Sequence, residues 1–291
     1  MDRREMDILQ EYFGKCVVKE KTLERSSSLA FTSSDRYYGG AFIEADTNLL
    51  AICSEQVALA RSTAANDFPA RRIVTLYRGD GMFSLSPLIV KILIDYRIRT
   101  QQPFSYSVID EQEKVLFEVM DIIDIFPAYR PAPIILQRTA RVFSPNVKKI
   151  NLAEEEIAQS LRQYAIEGLE RNFPLYDTAS GYGAAVYTKG GVMYWSGQYS
   201  SPDKRLGVHA EMNAVLCALM DGATNITHLG VVSTKHKDAP CNMCGMCRQF
   251  FAEMSVRFTF NATIHCFARE TNEEKTYTIE EYLPSVWTSR V

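Results

Sequence analysis

Apolar residues in this chain recur with two periods, and the alternation between them lays out its elements. Met6, Leu9, Phe13 and Val17 stand at helical spacing, so Met6 to Lys19 is predicted to form an amphipathic helix. Ser26-Ser27-Ser28 interrupts that pattern. Two extended stretches follow, Leu29 to Thr32 and Tyr37 to Ile43, joined by a turn at Ser33-Ser34-Asp35. A helix over Ile52 to Asn66 and a strand over Arg72 to Tyr77 come next. Ser86-Pro87 then opens a strongly apolar helix, Leu88 to Tyr96, with proline in the first turn, where its missing N–H costs nothing. Strands over Phe104 to Ile109 and Lys114 to Phe117, and a short helix, lead to Phe126-Pro127-Ala128-Tyr129. Pro131, Pro133 and Pro145 mark residues 131–150 as a linker. Beyond it Asn151 is expected to cap a helix running to about Arg171, with Glu154 at its third position.

The second half then repeats the first. Thr32 aligns with Thr188, Tyr38 with Tyr194, and Cys53-Ser54-Glu55 with His209-Ala210-Glu211, all at one offset of 156 positions. Near the ends, Ile125 to Tyr129 aligns with Tyr282 to Trp287. A period this long excludes a solenoid and indicates a duplicated domain. Each copy reads helix, two strands, helix, strand, helix, two strands and a C-terminal helix. The division expected is residues 1–130, a linker at 131–150, and residues 151–291.

Composition narrows the class without deciding it. The 291 residues suffice for two ordinary domains, and 46% hydrophobic with 23% charged residues describes a globular chain. No apolar run approaches the ~20 residues a membrane span needs, and Met1 to Glu5 lacks the apolar core of a secretion signal. Seven cysteines, three of them clustered, fit a reducing compartment and metal binding better than a disulfide framework, so the cytoplasm is the expected location. A net charge of −3 argues against a long nucleic-acid footprint.

The chemistry concentrates in the second copy. His209-Ala210-Glu211 is followed by Pro240-Cys241-Asn242-Met243-Cys244-Gly245-Met246-Cys247-Arg248-Gln249. A His-x-Glu and a later Cys-x-x-Cys form the signature of zinc-dependent nucleobase deamination. Three protein donors leave one tetrahedral position of Zn2+ for water, and the glutamate, kept off the metal, moves protons. The cysteines offer two overlapping pairs. Proline before the first ligand favours Cys241 with Cys244. Helix phase favours Cys244 with Cys247, since Phe250, Phe251 and Met254 then share the ligand's face. The second pair is preferred and Cys241 remains a competitor. A ferredoxin-like cluster lacks its fourth cysteine, whereas a closed structural site using His236 with the three cysteines stays open. The first copy keeps Cys53 and Glu55 but has Ser86 to Lys91 where the cysteine pair would stand. It is read as catalytically dead, with Cys53 a small buried apolar residue and Glu55 a polar remnant, and as a packing partner for the second copy.

These residues resemble the cytidine deaminase family in a tandem arrangement. Cys244-Gly245-Met246-Cys247-Arg248-Gln249 is similar to its Cys-Gly-x-Cys-Arg-Gln motif, and His209-Ala210-Glu211 to its His/Cys-Ala-Glu motif. Gly183-Ala184-Ala185-Val186, Leu283-Pro284-Ser285-Val286-Trp287 and, in the first copy, Gly40 to Ala45 resemble further family segments. The resemblance implies an α/β fold: two three-layer α/β/α sandwiches, each with a five-stranded mixed sheet, the N-terminal copy degenerate, with zinc at two helix N-termini. It implies a nucleoside-type substrate in pyrimidine salvage, a hydrogen bond from Arg248 to a ligand thiolate, and base or sugar contacts from Trp287, Ala210, Phe42 and Glu44. The family's sugar-binding Asn and Glu are absent at Gly197-Gln198-Tyr199-Ser200-Ser201, so Gln198 or Ser200 is expected to hold ribose, or the substrate is a nucleotide, a modified nucleoside or another aminated heterocycle. A duplicated chain fits a monomer or a homodimer.

Overall fold

The structure, a computed structural model, describes residues 2–19, 24–47, 50–79, 83–125, 139–175, 180–203 and 206–284. The chain forms two compact units. Unit 1 comprises Met1–Ala45, Ala51–Ser144 and Ser201–Leu206, and unit 2 comprises Asp46–Leu50, Pro145–Ser200 and Gly207–Val291.

Unit 1 runs α1 (Arg3–Phe13), β1 (Arg25–Thr32), β2 (Tyr37–Ala41), α2 (Ser54–Ala64), β3 (Ala70–Arg78), α3 (Pro87–Thr100), β4 (Ser105–Ile109), β5 (Val115–Val119) and a 3-10 turn at Ile122–Ile125. Its five strands lie in the order β2-β1-β3-β4-β5, with β3 and β4 parallel and the other pairs antiparallel. Helix α1 buries Met6, Leu9 and Phe13 against Leu29, Val74, Leu76 and Ile109 on one face of the sheet. Helix α2 closes the other face so tightly that a Cβ at Gly40 would fall 2.2 Å from the Ser54 carbonyl oxygen.

Unit 2 runs β6 (Val147–Lys149), α4 (Glu154–Glu170), β7 (Tyr182–Thr188), β8 (Val192–Gly197), α5 (Ala210–Met220), β9 (Ile226–Ser233), α6 (Gly245–Phe258), β10 (Thr263–Phe267), β11 (Glu274–Tyr277) and α7 (Ile279–Tyr282). Here the apolar stripe of α4 (Ile157, Leu161, Ala165) packs on Ala185, Trp195, Val232 and Phe267. Every residue of α5 is buried, which is why that helix shows no polar face in the sequence.

The two units match in fine detail. Helices α2 and α5 and the starts of β3 and β9 keep the 156-residue offset. The β1–β3 register is irregular at Phe31/Thr32 and the β7–β9 register at Tyr187/Thr188. Isolated bridges Val17–Ile43 and Ile43–Ile52 recur as Phe173–Tyr199 and Tyr199–Val208.

Four sequence expectations change. The first helix ends at Phe13, and Val17 instead pairs with Ile43, its N–H donating to the Phe42 carbonyl at 3.0 Å. The serine run is the start of β1, because its buried hydroxyls all find partners: Ser27 donates to Leu9 O at 2.7 Å, and Ser28 lies 2.7 Å from both Ser54 and Thr75 hydroxyls. The second sheet has six strands, order β11-β10-β9-β7-β8-β6, because β6, inside the expected linker, pairs with β8. The fourth helix is capped at Ala153 and not at Asn151: Glu156 reaches back to the Ala153 N–H at 2.9 Å. Phe126 to Tyr129, Pro131 and Pro133 lie outside the described residues.

Candidate metal centre

Three donors meet where two helices of unit 2 begin. His209 is the N-cap of α5 and Cys244 the N-cap of α6, both with extended backbone and neither spending its side chain on a cap hydrogen bond. Cys247 is the third residue of α6, so Cys244 and Cys247 hold the N-cap and N3 positions, whose side chains converge at a helix start. His209 Nδ1 lies 3.4 Å from Cys244 Sγ and 3.2 Å from Cys247 Sγ, and the sulfurs are 3.5 Å apart. Zn–S and Zn–N bonds of a tetrahedral ion separate their donors by about 3.6–3.8 Å, within roughly half an ångström of these spacings. Two thiolates and an imidazole also suit zinc in softness, so the donor set fits the ion.

The local field favours anionic sulfur. The Cys244 thiol is pushed down to about 4, chiefly by its hydrogen bond with Cys247 and also by His209. Two helix N-termini add positive potential at the same point. Cys247 is displaced well upward by burial and by the neighbouring Cys244. Burial opposes charge on His209, yet the Cys244 thiolate and Glu211 raise its pKa on balance.

Glu211 is the second residue of α5, in its first turn, buried, and is not one of the three donors. Burial raises its pKa, with His209 opposing and Cys244 adding to the rise, while a hydrogen bond with Cys247 draws it down. A carboxyl that is buried, displaced upward and off the donor set is equipped to exchange protons. Cys241 lies elsewhere. It is fully buried, and its Sγ donates to Val231 O at 3.2 Å, in the sheet and away from the donor cluster. His236 is likewise absent from the cluster.

The other expected site residues divide. Gln198 and Ser200 flank Tyr199, whose N–H and C=O both pair with Val208, one residue before His209. Ala210 is buried and its carbonyl accepts from Ser196 Oγ at 2.8 Å, tying β8 to the start of α5. Phe42 and Glu44 belong to unit 1, where the Phe42 N–H donates to Ser26 O and the Glu44 carboxylate accepts the Lys19 N–H at 2.7 Å. Trp287 lies outside the described residues. Arg248 departs from expectation. Its Nε donates to Met243 O at 3.0 Å and Nη1 to Tyr282 O at 3.4 Å, so among the described residues its bonds go to carbonyls and not to a ligand thiolate. The reason is reach: the guanidinium lies 4.0 Å over the Tyr282 ring. Tyr282 itself was missed in the sequence. Its signal was the contrast with Ile125 at the matching place in the first copy.

In unit 1 the corresponding positions carry Cys53, Ser86 and Ile89. Ser86 caps α3 in the ordinary way, accepting from Leu88 N–H at 3.3 Å. Glu55 is more than a remnant. It is buried and accepts from Thr75 (2.9 Å), Tyr106 (2.7 Å) and Ser54 (3.2 Å).

The fold so assembled places a metal-type donor cluster at the start of two helices of unit 2. Among solved structures, the chain is similar to cytidine deaminase from Burkholderia pseudomallei, with 19% identity and a TM-score of 0.40 over 47% of this chain and 100% of that one. It is also similar to the cytidine deaminases of Mycobacterium leprae (16%, 0.36, 44% of this chain and 97% of that one) and Mycobacterium tuberculosis (19%, 0.36, 44% and 95%). No protein-family model and no curated protein matches the chain. Among the described residues no helix is long and apolar enough to cross a membrane.

Proposed function

We propose that this chain is a zinc-dependent aminohydrolase acting on a cytosine-type ring, with cytidine or deoxycytidine as the reference substrates. The observation that carries the reading is Glu211: a buried carboxyl two residues from one donor and bonded to another, yet outside the donor set. Zinc held by His209, Cys244 and Cys247 would supply Lewis-acid activation of water to a nucleophile at neutral pH. Glu211 takes the proton released as water adds to the ring carbon bearing the amine. It then delivers protons to the ring nitrogen and to the departing ammonia, leaving the uracil-type carbonyl. Burial holds the Glu211 pKa up and so keeps it able to cycle. Gln198 and Ser200, beside the strand that precedes His209, are the proposed sugar contacts.

The absence of the family's Asn and Glu at residues 197–201 favours one variant of this reading, in which the substrate is a nucleotide or a modified nucleoside. Ammonia release from cytidine, deoxycytidine and their monophosphates, measured alongside zinc content, tests both. Glu211→Ala is expected to retain zinc and lose roughly 10²- to 10⁴-fold in kcat. Wild-type protein that holds zinc but releases no ammonia from any amino-pyrimidine would replace the enzyme with a zinc-stabilised binding protein.

A further inference from the structure

The peptide before the ligand Cys244 is held from both sides. Met243 is buried, and its N–H donates to Tyr282 Oη at 2.7 Å while its C=O accepts from Arg248 Nε at 3.0 Å. The two clamping groups are joined to each other. The Arg248 guanidinium stacks 4.0 Å over the Tyr282 ring, and its Nη1 donates to the Tyr282 carbonyl. The phenol oxygen is itself fixed, 3.2 Å from Asn242 Oδ1 and 3.3 Å from the buried Cys266 Sγ. The Tyr277 ring stacks 4.5 Å from the Tyr282 ring.

Cys244 is an N-cap, and its Sγ position depends on the 243–244 peptide plane, which no side-chain cap bond of its own secures. Rotation of that plane moves Sγ relative to His209 and Cys247, so whatever pins Met243 fixes the donor triangle. Unit 1 supplies an internal comparison. Its 3-10 turn Ile122–Ile125 occupies the place of α7, putting Ile125 at the position of Tyr282, and Val90 stands at the position of Arg248. The clamp is therefore absent in the unit that lacks the cysteine pair.

We propose that Tyr282, with Arg248, is the positioning device that presets Cys244 for the metal, a role that no cysteine or histidine motif discloses. The inference rests on the metal-centre reading above. Groups that orient a ligand from outside the coordination sphere typically contribute 10- to 100-fold in metal affinity, and Arg presents a planar stacking fork that Lys does not.

The test loads full-length protein with zinc and with cobalt(II). Tyr282→Phe keeps the stacked ring and removes only the hydroxyl. It is expected to bind zinc about tenfold or more weakly in chelator competition and to show altered thiolate-to-cobalt charge-transfer bands. Arg248→Lys is expected to move both readouts the same way and stands in should Tyr282→Phe fold poorly. Tyr277→Phe, which preserves the ring beneath Tyr282, should match wild type. Wild-type affinity and spectrum in both Tyr282→Phe and Arg248→Lys would overturn the clamp alone. Wild-type protein that takes up neither ion would overturn the metal-centre reading and the clamp with it.

Discussion

Three cysteines at equal spacing are chemically alike, and their surroundings separate them. Cys241 is spent inside the sheet on Val231 O, whereas Cys244 and Cys247 face His209 from the start of α6. Serine at either of the latter positions is expected to abolish zinc retention, because a hydroxyl does not ionise at neutral pH. Cys241→Ser should retain stoichiometric zinc. Metal content of the three purified variants decides the matter, and loss of zinc from Cys241→Ser would reinstate the proline-adjacent pair. The sequence carried both options because proline placement and helix phase pointed to different cysteines. Only the fold shows that Cys241 precedes the helix with its thiol bonded to a strand carbonyl, while Cys244 caps the helix.

At the scale of elements, the same helix start serves opposite ends in the two units. In unit 2 the N-caps His209 and Cys244 leave their side chains to a ligand. In unit 1 Ser86 caps α3, and Glu55, at the position of Glu211, anchors α2 to β3 and β4 through Thr75 and Tyr106. The corresponding residues of unit 2 are Val231 and Ile264. A buried carboxylate deprived of a donor costs more than the bond itself, so Tyr106→Phe should destabilise the protein by about 1–3 kcal/mol. Replacing both partners with apolar groups, as in Tyr106→Phe with Glu55→Leu, should recover most of that loss. Urea midpoints of the single and double variants test the argument, and an unchanged Tyr106→Phe midpoint would refute it. Pattern reading located α2, α3 and β3 because their periodicity is regular. It misjudged Ser26 to Ser28 and the end of α1, where hydroxyl pairing and a bridge to Ile43 outweigh local preference.

At the scale of the whole molecule, the chain's two units do not coincide with its two halves. Residues 46–50 belong to unit 2 and residues 201–206 to unit 1. Glu253, on the ligand-bearing helix α6, is buried and accepts from Asp46 N–H (2.6 Å), Thr47 N–H (3.3 Å) and Thr47 Oγ1 (2.9 Å), as well as from Gln249 (2.7 Å). A fragment of residues 145–291 lacks the first three donors. Glu253→Leu should therefore raise the melting temperature of that fragment and lower that of the full chain, since a carboxylate stripped of three of its four donors is worse than an apolar side chain and a fully paired one is better. Thermal unfolding of the four proteins checks the sign, and a Glu253→Leu effect of the same sign in both backgrounds would exclude it.

Periodicity, turn residues and one repeated offset are local or pairwise properties of the chain, and they determined by themselves the duplication, the element order of each copy and the residues from which donors are drawn. Which two thiols meet His209, where Arg248 points, that Tyr282 grips the peptide before Cys244, and that residues 46–50 join the other half's unit were decided only in three dimensions. These depend on which groups remain unsatisfied after the sheets and helices have packed. A buried hydroxyl, carboxylate or peptide takes whatever partner the fold brings within reach, and that partner is often hundreds of residues away, as Asp46 is from Glu253.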